Sequence, residues 1–449
     1  MTSHIHILTL NCWGLKFISD HRNARLAHIG TAIANLSPTP DIVGLQECWT
    51  QEDYEAIRTR TSHILPHGKF YFSGAFGGGL AILSRWPIVE STMQRYTLNG
   101  RPTAFFRGDW YVGKGIACAV VKMDDGELAE VFCTHLHAPY EREPNDSYLC
   151  HRTSQAWEVS KLLSSARAKG RLAVALGDFN MIPLSLAHQL ITTHGPAIDT
   201  WRALHPFSSI GSAIDEPEMA RGLEIPDAKF NLTENGATCD SVLNTWRWTD
   251  EQRKRLKKGE TVDIPLNTED SRAKRLDYVF IGGKTSDWKV TAATVGMVER
   301  HPDIQVSLSD HFSVEVTIER TKPPAEAQVI AQSQKADEFL PLETYDAILD
   351  VTEAYILRER GQRRSRIAHF FFSVGITIAC LVAVWWSPRN FVSFILILLS
   401  SLSLTAGTVD GLIGLLFMSW ELRCLKEFRW EMENLRQHAR TEIELKSAR

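Results

Sequence analysis

Residues 108–121 read GDWYVGKGIACAVV, and two folds compete for this stretch. Gly108, four free positions, Gly113 and Lys114 reproduce the start of the GxxxxGK[ST] pattern that cradles nucleotide phosphates, but Gly115 stands where the magnesium-binding hydroxyl belongs. A phosphate loop must also open a helix whose N-terminus faces the anion. Here IACAVV follows, a short apolar run that reads as a strand. The stretch is therefore a connection between two strands of a mixed sheet, and ATP is not an expected ligand.

The same grammar extends outward from residue 4 to about residue 319: short apolar runs bounded by Gly, Pro, Asn and Asp, with amphipathic segments between them. Strands are expected at His4–Leu10, Ile42–Gln46, Leu80–Ser84, Thr103–Phe106, Gly115–Lys122, Glu130–Thr134, Leu172–Leu176, Tyr278–Ile281 and Phe312–Ile318. Helices are expected at Arg22–Asn35, Asp53–Arg60, Thr153–Ala168 and Leu184–Thr192. Many short strands joined by hairpins and a few helices predict an α/β sandwich with mixed sheets rather than a parallel doubly wound sheet. The run DEQRKRLKKGE at 250–260 reads as a solvated loop or helix face.

The chain has 449 residues, 44% of them hydrophobic, which is enough for one large domain or two medium ones. A net charge of -4 gives no global basic field of the kind that duplex DNA binding needs, so nucleic acid is not the expected partner. Eight cysteines form no CxxC pair and lie in apolar contexts, as reduced, mostly buried thiols of a cytosol-facing protein do. The first residues lack the basic stretch and long apolar run of a signal peptide, and the sequons at Asn145 and Asn231 are read as chance.

Beyond Arg320 the composition changes. TKPPAEAQVIAQSQKADE, 321–338, reads as a linker, followed by an amphipathic helix from Leu342 to Glu359 and five arginines between 358 and 366. Ala368–Trp386 then runs without Asp, Glu, Lys or Arg, and after the turn SPRN comes FVSFILILLSSLSLTAGTV, 391–409. Both runs are long enough to cross a bilayer, so a transmembrane hairpin is expected. The basic clusters RGQRRSR and ELRCLKEFR flank its outer ends, which places both flanks in the cytosol. Trp385, Trp386 and Trp420 suit interfacial anchors, and Asp410 is either a polar contact between the helices, a functional group or an interfacial residue. The expected organisation is 1–320 catalytic, 321–366 linker and juxtamembrane, 367–420 two transmembrane helices and 421–449 a cytosolic helical tail.

Six stretches concentrate acid–base and oxygen-donor residues at strand ends: LTLNCWG, GLQECW, THLHAP, LGDFN, RLDYVF and SDHFS. Asn11, Glu47 and Asp310 offer the oxygens that a hard cation such as magnesium requires. Phosphodiester hydrolysis also needs a base, an acid and positive charge on the phosphate, tasks that suit His135, His311 and Asp178. Taken singly, an Asn or Asp after a strand is a common turn residue, and a lone carboxylate such as Glu47 also suits a structural ion pair.

In order, Asn11, Glu47, His135, Asp178–Phe179–Asn180, Asp277 and Asp310–His311 resemble the endonuclease/exonuclease/phosphatase superfamily, and the wording GLQE, THLHA, GDFN, RLDYVF and SDHFSV is similar to its neutral sphingomyelinase branch. The resemblance implies a four-layer α/β sandwich followed by the membrane hairpin. It implies Mg2+ held by Glu47 with Asn11 and Asp310, His311 as general base oriented by Asp277, Asp178 and Asn180 at the phosphate, nucleophile or a second metal, and His135 at the phosphoryl or leaving oxygen. His137 is a neighbour rather than a catalyst. The block GATCDSVLNTW, 236–246, also resembles that branch, with Asp240 and Asn244 either at the substrate or holding a loop.

FFRGDWYVGKGIA, 105–117, is similar to the fungal enzymes that cleave inositol phosphosphingolipids and also sphingomyelin. By that likeness Lys114 contacts the lipid phosphate or an anionic activator and pairs with Asp109, the alternative being a glycine hairpin with a solvated lysine. The implied reaction is of phospholipase C type, giving ceramide and a phosphorylated head group. Anionic phospholipid (phosphatidylserine, cardiolipin or phosphatidylglycerol) is expected to activate through the polybasic run, in an endoplasmic reticulum or mitochondrial membrane. A nuclease or abasic-site enzyme shares the residues but not the hairpin, an inositol polyphosphate phosphatase would need WxGDxNxR where LGDFNMIP stands, and a silent membrane scaffold would not need every catalytic position filled.

Overall fold

The computed structural model describes residues 2–141, 145–321 and 339–447. Two compact units emerge, Met1–Asn99 with Gly108–Leu340, and Gly100–Arg107 with Pro341–Arg449. The expected linker at 321–338 lies, but for Thr321, outside the described residues.

The first unit holds twelve strands among the described residues: β1 His4–Asn11, β2 Ile42–Gln46, β3 His67–Tyr71, β4 Leu80–Ser84, β5 Ile88–Arg95, β6 Gly115–Lys122, β7 Leu128–His135, β8 Leu172–Asp178, β9 Ile198–Asp199, β10 Asp277–Gly283, β11 Trp288–Gly296 and β12 Ser313–Arg320. They form two six-stranded mixed sheets, ordered β11-β12-β1-β2-β4-β3 and β5-β6-β7-β8-β10-β9. Ile5, Ile7 and Ile82 of one sheet meet Val131, Val174 and Leu176 of the other in a continuous buried layer. Helices α1 (Arg22–Ala34) and α2 (Gln51–Thr61) cover the outer face of the first sheet, where Leu26, Ile33 and Ile57 pack on Leu8, Leu10 and Val43. Two more helices, Leu149–Ala168 and Leu186–Thr193, cover the second sheet through Ala156, Val159, Leu163 and Ile191. The result is the expected four-layer sandwich. Period-two alternation is nearly absent from β2, β4 and β8, which are buried along their whole length because each is covered on both faces.

Two local expectations fail for identifiable reasons. Thr103–Phe106 is no strand: residues 105–107 form a short 3-10 helix, and the segment from Gly100 to Arg107 folds with the C-terminal helices instead of joining a sheet. The stretch after it is not a bare hairpin, since Asp109–Val112 make one helical turn framed by Gly108 (φ 77°) and Gly113 (φ 63°) in the left-handed region. The strand β6 then begins at Gly115, where a Cβ would lie 2.2 Å from the Gln94 carbonyl oxygen.

Another glycine sets the site directly. Gly177 has φ 142°, and a Cβ there would stand 1.9 Å from the Thr134 carbonyl oxygen; Gly177 immediately precedes Asp178 and Thr134 immediately precedes His135. Gly177→Ala is expected to cost about 1–3 kcal/mol by overpacking, read as a lowered Tm, and to reduce kcat as well because the strain falls between those two side chains.

In the second unit the expected amphipathic helix, basic run and first span are one continuous helix, Leu342–Ala383, because no Gly–Pro signal interrupts them and Gly361 is tolerated within it. It packs against Asn390–Leu412, with Gly407 and Gly411 letting Ser373 and Phe370 approach closely. Asp410 is a contact between the helices: it pairs with Arg366 and accepts from His369 Nδ1 at 2.7 Å. A π-helical turn at Ile413–Phe417 leads into Met418–Ser447. Both long helices contain windows of mean hydropathy 2.3 and 2.0, long and apolar enough to cross a membrane by length and composition.

Candidate active site

Strand register assembles the site. In the second sheet Asp178 at the end of β8 is the cross-strand partner of His135 on β7 and of Asp277 on β10. Neighbouring strands lie about 4.8 Å apart, so the three side chains form a row along one rim. In the first sheet Asn11 ends β1 opposite Gln46, and Glu47 follows with φ 53°. A left-handed glutamate is strained backbone of the kind that collects at functional sites, and Asn180, at φ 46°, is a second example.

Asn11 joins the two rims: its Nδ2 donates to Glu47 Oε1 at 3.2 Å and to Asp178 Oδ2 at 3.0 Å, while its Oδ1 accepts from the Trp13 amide at 3.0 Å. It therefore stands amide-first between two acids. His311 Nδ1 is 2.8 Å from Asp277 Oδ2, and its Nε2 faces Asp178 Oδ2 at 3.9 Å. His135 Nε2 lies 3.5 Å from the same oxygen. Asp178 Oδ1 accepts from the Asn180 amide at 2.9 Å, and the Asn180 side chain donates to the Leu136 carbonyl at 3.1 Å.

Lys114 is buried, not solvated, and donates to that same Leu136 carbonyl at 2.9 Å. Asp109, also buried, accepts from Tyr140 Oη at 2.9 Å and acts on Lys114 through its charge. Asn244 holds a loop: it donates to the Ser309 carbonyl at 3.0 Å and caps the following turn by accepting from the Trp246 amide at 3.1 Å. Asp240 is held by Arg247 and Lys274 at 2.5 and 2.9 Å. His137 is locked against Gln155 at 2.6 Å, behind the site.

The acids repel one another. Burial, then the charge of Asp310, raises the Glu47 carboxyl. Burial and Asp277 push Asp178 up to about 7. Burial and the charges of Lys114 and His311 hold the His135 imidazole well below its usual range. For His311 burial works the other way from its neighbours, and Cys239, Asp277 and Asp178 outweigh it, so its pKa is raised well above the ordinary imidazole value. Ligand atoms of Asp178, Asp277 and His311 lie within 4.8 Å of one another and form a possible metal-binding group. The raised carboxyls of Glu47 and Asp178, among other oxygen donors, fit a hard divalent cation.

Three residues escaped the reading of the sequence. Thr238 Oγ1 donates to Asp277 Oδ2 at 2.6 Å, and Ser309 Oγ donates to the Asn11 carbonyl at 2.5 Å. Both lie inside quoted motifs, so position in the motif was the available signal. Arg25 is buried in α1, donates to the carbonyls of Asp20, Cys12, Trp13 and Leu308, and lies 4.8 Å from the Trp13 ring. A helical arginine carries no such signal in sequence.

A model of the Endonuclease/Exonuclease/phosphatase family matches residues 8–311, which span every side chain just described. The chain belongs to the endonuclease/exonuclease/phosphatase family. The inositol phosphosphingolipids phospholipase C of Schizosaccharomyces pombe is 38% identical to it, over 96% of this chain and 93% of that protein. The Saccharomyces cerevisiae protein of the same name is 32% identical, over 97% and 91%. Human sphingomyelin phosphodiesterase 2 is 35% identical over 45% of each chain. Among solved structures, Streptomyces griseocarneus sphingomyelinase C superposes with TM-score 0.46 at 16% identity, covering 70% of this chain and 99% of that one. A Staphylococcus aureus beta toxin with bound magnesium ions does so with TM-score 0.46 at 15% identity, covering 72% and 100%.

Proposed function

We propose that this protein is a membrane-bound phosphoric diester hydrolase of phospholipase C type, cleaving inositol phosphosphingolipid or sphingomyelin to ceramide and a phosphorylated head group. The observation that carries the reading is the His311–Asp277 pair facing Asp178, with Asn11 and Glu47 beside it, in a chain that also has two bilayer-length apolar helices. Its two fungal relatives, aligned over nine tenths of both chains, support the substrate class.

Magnesium is the proposed cofactor, which Glu47 and Asp310 would hold with Asn11; when bound, it would supply positive charge to the phosphate oxygens. His311 Nε2 takes the proton of the attacking water, and Asp277 holds the opposite nitrogen and stabilises the imidazolium. The water oxygen bonds to phosphorus as the bond from phosphorus to the ceramide oxygen breaks. Asp178, with its carboxyl near neutrality, can return a proton to that oxygen. His135 is held neutral, which suits it to hydrogen-bond the phosphoryl group rather than to act as the acid.

The basic flanks support a catalytic unit on the cytosolic side of its membrane; an endoplasmic reticulum or mitochondrial membrane is the proposed location, and anionic phospholipid is the proposed activator. The deciding assay measures magnesium-dependent release of water-soluble phosphate ester from labelled inositol phosphoceramide, sphingomyelin, lysophospholipid and DNA by the full chain with phosphatidylserine. Sphingolipid hydrolysis is expected; hydrolysis of DNA alone would overturn the reading. Lys114→Ala removes a buried cation that supports the Leu136 carbonyl beside Asn180. It is expected to lower kcat about 10- to 100-fold, whereas wild-type kinetics would return the lysine to a packing role.

A further inference from the structure

The two ends of the sandwich expose different chemistry. Asn11, Glu47, His135 and Asp178 mark one end, so the connections after β1, between β3 and β4, after β7 and after β8 all emerge there. Each presents a large apolar side chain to water: Phe17 (93% exposed) and Ile18 (70%), Phe72 and Phe76 (69% and 64%), Tyr140, and Leu184. At the opposite end, among the described residues, the turns 35–41, 62–66, 85–87, 123–127 and 284–287 expose no large hydrophobic. They carry Asp124, Asp125, Glu127, Lys284 and Asp287 instead, with Val89 exposed nearby on the edge strand β5. The catalytic unit also exposes Phe207, Met219, Leu223, Ile225, Phe230 and Leu266, so exposure alone decides nothing. What suits a binding surface is that Phe17, Ile18, Phe72, Phe76, Tyr140 and Leu184 come from four connections at the end that carries the site.

The connection from β1 to α1 is built to hold its tip outward. Ile18 and Ser19 donate their amides to the Leu15 carbonyl at 3.2 and 3.0 Å, and Ser19 Oγ adds a third bond at 2.7 Å. The base of the loop is tied to the site, since the Gly14 amide donates to the Glu47 carbonyl at 3.0 Å. Phe17 and Ile18 therefore project from a formed turn, with Lys16 Nζ 5.9 Å from the Phe17 ring centre. An aromatic and an aliphatic side chain beside a lysine match the boundary between acyl chains and phosphates.

We propose that this loop docks the catalytic end on a lipid bilayer, Phe17 and Ile18 entering the interface and Phe72, Phe76 and Leu184 resting at its rim. The bilayer is favoured as occupant because the same chain carries two apolar helices of spanning length, and because the substrate is a membrane lipid, a step that rests on the function proposed above. A phosphodiester at head-group depth reaches Glu47 and His311 only if their end of the sandwich meets the surface.

The test places p-benzoylphenylalanine at position 17, or as control at position 127, in the full chain reconstituted into nanodiscs of radiolabelled phosphatidylcholine. Irradiation is expected to give a lipid adduct at position 17 and none at 127. Absence of an adduct at 17, or a crosslink there to a second copy or another protein, would overturn the proposal. In parallel, the double variant Phe17→Ser with Ile18→Ser is expected to raise the interfacial KM about tenfold, the equivalent of about 1.4 kcal/mol, with kcat at saturating surface concentration changed less than about twofold; an unchanged KM counts against docking. Phosphatidylcholine crosslinking needs no turnover, so an adduct without sphingolipid hydrolysis would sink the substrate assignment and leave docking intact, and hydrolysis without an adduct would do the reverse.

Discussion

His311→Ala is expected to lower kcat about 1000-fold, or about 4 kcal/mol of transition-state stabilisation, while membrane association is retained. The argument rests on which nitrogen is available: Nδ1 is occupied by Asp277 at 2.8 Å, and Nε2 points at Asp178 across the cleft. A base must be deprotonated, so activity is present above the His311 pKa and lost as the pH falls through it. That pKa is raised because the Cys239 sulfur and the carboxylates of Asp277 and Asp178 outweigh burial. Asp277→Asn removes one of those charges. It should therefore move the acid limb of the kcat/KM profile to lower pH while also lowering kcat about 100-fold or more through a misoriented imidazole. A purely structural Asp277 would lower the amount of folded protein and leave the position of that limb where it was.

What could be read before the structure was the part governed by local pattern. Buried strands such as Ile42–Gln46 and Leu80–Ser84 stood out as apolar runs and appear with those bounds. His67–Tyr71 and Trp288–Gly296 did not, because HGKFY and WKVTAATVG are the two edge strands of their sheet, the first only partly buried over His67–Lys69 and the second alternating with exposed positions, which weakens the apolar pattern. The row His135, Asp178, Asp277 was legible as three motifs, but that they are lateral neighbours depends on the pairing of β7, β8 and β10, which links residues far apart in the chain. The burial of Lys114 and of Asn244 depends on the Leu136 and Ser309 carbonyls. A long side chain next to glycines reads as solvated until the acceptor is known.

Glu47→Gln should move stability and activity in opposite directions. The substitution keeps the shape at a left-handed position and removes the charge that a divalent cation would neutralise, so half-maximal activation should require about 100-fold more magnesium or more, measured by titrating turnover against the free cation. In the metal-free protein the sign reverses. Burial and Asp310 raise the Glu47 carboxyl above its ordinary value of 4.5, so its contribution to stability is fully present below that ordinary value and is lost as the pH rises through the folded value. The neutral amide avoids that loss. Metal-free Glu47→Gln should then melt above the metal-free wild type at pH 7, and the gap should close as the pH falls below about 4.5. Adding magnesium should raise the Tm of the wild type, since a ligand that binds only the folded state stabilises it, and should leave the variant nearly unmoved. A variant that melted lower than wild type without metal would place Glu47 in a structural ion pair instead, and the crowded carboxylates of the cleft would need another explanation.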